Sequence, residues 1–84
     1  MLITFHQHAW EDYLYWQTTD KKILKRINAL IQEAQRNPFT GTGKPEPLKY
    51  EWSGYWSRRI DDVHRMVYKV EEGELVIAQL RYHY

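Results

Sequence analysis

The chain has 84 residues with 12 Lys or Arg against 11 Asp or Glu, so its formal net charge is +1. That length allows one domain spanning residues 1–84 and not two. The absence of Cys excludes a disulfide framework, a thiolate zinc site and a catalytic thiol. The first elements follow in chain order. Leu2 to Phe5 is a short apolar run that predicts a strand. His8 to Gln17 carries Trp10, Tyr13, Leu14 and Trp16 at the offsets of one helix stripe. Asp20 is a good N-cap for a second helix from Lys21 to about Arg36. In that segment Ile23, Leu24, Ile27, Leu30, Ile31 and Ala34 repeat at helical spacing. Asn37-Pro38 ends it, because proline lacks the amide and restricts the residue before it.

Residues 38–54, PFTGTGKPEPLKYEWSG, hold all three prolines and three of the four glycines, and predict a long loop. Beyond Gly54 the pattern changes to period two. Strands are expected over Tyr55–Ile60, Val63–Glu71 and Glu74–His83, with turns at Asp61-Asp62 and Glu72-Gly73. Consecutive hairpins make these three strands antiparallel. The expected fold is therefore α+β, with two N-terminal helices packed on a twisted, mainly antiparallel four-stranded sheet.

Strand alternation sorts the meander side chains into two faces. His64, Met66, Tyr68 and Val70 form one apolar set, and Val76, Ala78, Leu80 and Tyr82 another; both are expected to meet the helices. Trp56 and Ile60 share that parity. Arg58 shares it too, which is an awkward place for a cation. The other face then gathers Arg59, Arg65 and His83 from three neighbouring strands. Charge is divided in the same sense: residues 21–69 carry +6, while residues 1–20 carry −3 and 70–84 carry −2. A basic middle between acidic ends suits an anionic partner without a strongly basic total. Solvated helix and strand faces explain the same charges without any ligand.

Arginines and an imidazole on one sheet face suit a phosphate. The loop adds Glu46 and Lys49 within PEPLK, where flanking prolines restrict the backbone. Cleavage of RNA by transesterification needs a base for the 2′-hydroxyl, an acid for the 5′-oxygen and cations for the phosphorane. Glu46, His83 and Arg65 are of the right types for these three parts. Tyr84 is a candidate for stacking on a base. Trp10, Tyr13, Trp16, Trp52 and Trp56 are expected in the core or an interface. No His spacing suggests a metal site, and no cofactor is expected. No apolar run is long enough to span a membrane, and MLITFHQHAW does not read as a secretion signal, so a cytoplasmic location is expected.

The segments WEDYLYWQ, GTGKPEPLK, SGYWSRRI, HRMVY and the final RYHY resemble the YoeB family of bacterial toxins, within the RelE/ParE superfamily. The resemblance covers essentially all 84 residues. It implies the RelE/ParE-like (microbial RNase-like) fold and a metal-independent endoribonuclease that cuts messenger RNA in the ribosomal A site. It places the general base on Glu46, the general acid on His83 and the phosphate-stabilising arginine on Arg65. Lys49 and Arg59 match supporting cations, and Tyr84 the terminal aromatic. A YefM-type antitoxin, the bacterial ribosome with its mRNA, and a second copy of the chain are the implied partners. Two other readings stay open: a gyrase-targeting ParE-like toxin, and a non-enzymatic module that binds RNA or an antitoxin.

Overall fold

A computed structural model describes residues 1–82 of the chain; His83 and Tyr84 lie outside the described residues. The elements run β1 (Leu2–Phe5), α1 (Gln7–Thr19), α2 (Lys21–Arg36), β2 (Glu46–Pro47), β3 (Trp56–Arg59), β4 (Arg65–Glu71) and β5 (Glu74–Gln79), with a 3-10 turn at Tyr50–Trp52. One mixed sheet has the order β1-β5-β4-β3-β2. Its first pair, β1 with β5, is parallel, and the other three pairs are antiparallel. The sheet thus has five strands, one more than expected. The extra strand is the two-residue β2, which carries no alternating pattern to reveal it.

Helix α2 forms where the apolar stripe predicts it. Asp20 caps it by accepting the backbone N–H groups of Lys22 and Ile23 at 3.0 and 3.2 Å. The stripe buries Ile27, Leu30, Ile31 and Ala34. Helix α1 buries Ala9, Asp12 and Trp16, while Trp10 and Leu14 stay exposed. The two helices cover one sheet face, where Ile60, Met66, Tyr68, Leu75, Ile77 and Leu80 complete the core. At the β4–β5 hairpin, Glu72 (φ 49°) and Gly73 (φ 77°) form the expected two-residue turn.

Strand β5 corrects the expected face assignment. Leu75 and Ile77 face the helices, while Ala78 packs on the opposite face with Leu48 and Val67. The cause is a bulge. Tyr68 pairs with Ile77 but Val67 pairs with Gln79, so Ala78 is an extra residue in β5. Leu80 consequently returns to the helix side although it shares its parity with Ala78. Tyr82, expected in the core, is 55% exposed.

The third meander strand also stops at Gln79 and not at His83. Past the bulge, side chains of α1 take over the backbone partners. Asp12 Oδ2 accepts the Leu80 N–H at 3.0 Å, and Trp16 Nε1 donates to the Leu80 carbonyl at 2.9 Å. The other meander strands are trimmed as well, to Trp56–Arg59 and Arg65–Glu71. Asp61 Oδ1 caps the backbone N–H groups of Val63 and His64 at 2.9 and 2.6 Å, which holds Val63 and His64 in the turn and out of the strand.

Candidate functional site

Register places the candidate residues. Glu46 pairs with Ser57, two residues before Arg59 on β3. Arg59 in turn pairs with Arg65 at the start of β4. Directly paired residues, and residues two apart on a strand, share a face. Glu46, Ser57, Arg59 and Arg65 therefore lie on the sheet face opposite the helices. The adjoining part of that face is closed by Leu48, Val67 and Ala78, with Trp52 and Tyr55 packed over them. Polar site and small apolar cluster are thus side by side.

The loop between α2 and β3 is far from slack. A groove of about 370 Å³ is lined by residues 46–52, which brings Glu46 and Lys49 together. Tyr50, in the 3-10 turn, has φ 57° and is 90% exposed. Lys69 lies over the Tyr55 ring at 5.0 Å, and contact with Glu71 raises its pKa.

The first half of the loop is pinned from below by Arg58. Its guanidinium is fully buried. Nε donates to Tyr68 Oη at 3.0 Å, Nη1 to the Thr42 carbonyl at 2.9 Å, and Nη2 to the carbonyls of Thr40 (2.8 Å) and Asn37. Tyr68 Oη passes the network on to the Pro38 carbonyl at 2.6 Å. Burial raises the Tyr68 pKa against the opposing influence of Arg58, so the phenol stays protonated and donates. Gly43 completes the junction. Its φ is 87°, and its carbonyl accepts the Arg59 N–H at 2.8 Å. A Cβ there would stand 3.0 Å from Leu30 Cδ2 and 3.2 Å from Arg58 Cβ.

Arg65 is held by main chain. Its Nη1 donates to the carbonyls of Asp61 and His64 at 2.8 and 3.1 Å. Burial pushes the Asp61 carboxyl up, but the N–H groups of His64 and Val63, with the charge of nearby Arg65, outweigh it, and its pKa is lowered. The bond from Arg65 is to the Asp61 carbonyl and not to its carboxylate.

Glu46, Lys49, Arg59 and Arg65 are therefore placed on one side of the molecule. His83 and Tyr84 lie outside the described residues. Three residues were missed in the sequence. Arg58 signalled itself only as a cation on the core parity. Asp12 sits between Ala9 and Trp16 on the buried stripe of α1. His64 has the core parity but uses its ring nitrogen for a backbone bond.

Fold and surface define a small α+β protein that presents arginines and a carboxylate on the sheet face opposite the helices, beside a small apolar cluster. The chain belongs to the YoeB-like toxins of bacterial type II toxin–antitoxin systems, whose family model matches residues 5–84. It is 62% identical to the toxin YoeB of Streptomyces coelicolor over the full length of both chains. It superposes on the YoeB/ParE toxin from Agrobacterium tumefaciens with a TM-score of 0.96 and 48% identity, covering all of both chains. Structures from Staphylococcus aureus are similar too. The heterotetrameric YoeB–YefM complex matches with TM-score 0.91, 49% identity and coverage of 100% and 99%. The YoeB dimer matches with 0.92, 48% identity and coverage of 100% and 98%.

Proposed function

We propose that the chain is a ribosome-dependent endoribonuclease that cleaves mRNA in the ribosomal A site and thereby inhibits translation. The observation that carries the reading is the register that aligns Glu46, Arg59 and Arg65 on one sheet face, beside the groove holding Lys49. Glu46 takes the proton of the 2′-hydroxyl, and the freed oxygen attacks the adjacent phosphorus. His83 protonates the departing 5′-oxygen. Arg65, whose guanidinium is braced by two carbonyls, meets the charge that grows on the phosphorane. Lys49 and Arg59 hold flanking phosphates, and Tyr84 stacks on a base. The scheme needs only acid, base and cations, and ribosomal positioning of the 2′-hydroxyl shares the work.

The partners follow from the same family membership. A YefM-type antitoxin and a second copy of the chain are proposed, supported by the S. aureus YoeB–YefM complex and YoeB dimer. Leu2, Ile3, Trp10 and Leu14, exposed near the β1 edge and on α1, offer apolar area to such partners. No helix of the described residues is long and apolar enough to cross a membrane. A bacterial cytoplasmic location goes with the ribosomal substrate.

Purified protein is added to programmed bacterial ribosomes and cuts in the message are mapped. Wild type cuts in the A site, and Glu46→Ala and His83→Ala are strongly impaired. Equal cutting by both variants removes the acid–base assignment. Absence of cutting, with gyrase-dependent DNA breaks in its place, transfers the reading to the ParE-type activity.

A further inference from the structure

His64 occupies a junction that the proposed chemistry does not use. Its own backbone is fixed on both sides. The N–H donates to Asp61 Oδ1, and the carbonyl accepts from Ile60 N and Arg65 Nη1 at 3.0 and 3.1 Å. Its ring lies edge-on to Trp16, with centroids 4.8 Å apart. From this frame Nδ1 accepts the backbone N–H of Tyr82 at 2.8 Å. An amide can only donate, so Nδ1 carries the lone pair and Nε2 the proton. The neighbouring Arg65 N–H donates to the Tyr82 carbonyl at 3.0 Å. Both backbone groups of Tyr82 are thus gripped by one dipeptide, His64-Arg65.

Tyr82 needs gripping. Its φ is 63°, a left-handed conformation that a non-glycine residue holds only when its surroundings impose it. Packing supplies further restraint: the Arg81 guanidinium lies between the Tyr15 ring (3.6 Å) and the Tyr82 ring (4.6 Å). Upstream, Leu80 is held independently by Asp12 and Trp16. Gln79 Nε2 donates to the carbonyls of Arg81 and Tyr82 at 2.9 and 3.3 Å, and among the described residues the imidazole is the side chain that accepts the Tyr82 N–H.

We propose that His64 is a positioning residue: its Nδ1, by accepting the Tyr82 amide, sets the backbone from which the general acid His83 departs. This rests on the endoribonuclease reading above. One dipeptide then coordinates the two ends of the reaction. Arg65 serves the phosphate, and His64 serves the group that protonates the leaving oxygen.

Two variants separate the acceptor from the ring. His64→Phe keeps an aromatic edge against Trp16 and loses the acceptor. His64→Asn loses the ring and places an amide oxygen near the Nδ1 position. Amide hydrogen exchange is followed by NMR, and cleavage kinetics on programmed ribosomes are measured in parallel. Tyr82 exchange is expected to rise about fivefold in His64→Phe and to return toward wild type in His64→Asn, while the Leu80 amide is unchanged in both. The kcat falls on the order of tenfold in His64→Phe at nearly constant KM, and His64→Asn recovers most of it. Wild-type protection of Tyr82 in His64→Phe overturns the proposal, as does lost protection with kcat intact. Failure of His64→Asn to restore either readout overturns it as well. If wild type does not cut but Tyr82 exchange follows the expected pattern, the endoribonuclease reading falls and the grip of His64 on the chain stands.

Discussion

Arg58 supports a quantitative test of how the loop is held. Replacement by Met preserves an apolar stem of similar length and removes all five N–H donors. Four bonds disappear with them: three to the carbonyls of Asn37, Thr40 and Thr42, and one to Tyr68 Oη. The phenol keeps its bond to the Pro38 carbonyl. Apart from Arg58, no side chain or backbone N–H among the described residues is bonded to these three carbonyls, and an acceptor left unsatisfied costs about 1–3 kcal/mol. Water can reach part of this loop, so the low end applies, and the total is about 3 kcal/mol. For a chain of this length that corresponds to a melting temperature lower by roughly 12–24 °C. Thermal and urea unfolding followed by circular dichroism read it directly. The double variant with Tyr68→Phe should cost less than the sum of the singles, because the two side chains share one bond. A loss below about 1 kcal/mol for Arg58→Met would refute the account, since the carbonyls would then be satisfied without the guanidinium.

Gly43→Ala combines a left-handed backbone with a Cβ pressed against Leu30 and Arg58, and should cost about 2 kcal/mol in urea unfolding. Asp61 has a lowered pKa, so its contribution to stability is present above the ordinary carboxyl range and is lost as pH falls through its folded value. An acid titration of wild type against Asp61→Asn should show that component vanish in the variant; parallel curves would contradict it. Binding of a single-stranded RNA probe should weaken with salt, with a log–log slope of about −2 if Lys49, Arg59 and Arg65 each meet a phosphate. Arg59→Ala should reduce the slope by about 0.7, and a flat salt response would show that these cations are only solvated.

Much of the fold could be read directly from residue order. Helix α2 announced both its stripe and its Asp20 cap, and the Glu72-Gly73 turn set the last hairpin. Strand β2 could not be read, because two residues, one of them a proline, have no period. The face of β5 was misread for a sharper reason: alternation assumes an unbroken ladder, and one inserted residue at Ala78 reverses it. Within the candidate site, Arg59 and Arg65 were placed together correctly because both lie on the regular β3–β4 pair. The positions of Asp12, Arg58 and His64 depend on bonds to backbone atoms 18 to 68 residues away, or to several loop carbonyls at once. Hydrophobic patterning carries no record of such bonds.

The parallel pairing of β1 with β5 has a consequence for synthesis. Residues 2–5 must wait for residues 74–77, and Asp12 and Trp16 must wait for Leu80. A nascent chain therefore cannot close this sheet until residues 74–77 have been made. Arg65 has no fixed neighbour at Tyr82 before that moment. Completion of the cationic face is thus tied to the synthesis of residues 74–82, well after Glu46, Arg59 and Arg65 have themselves been made.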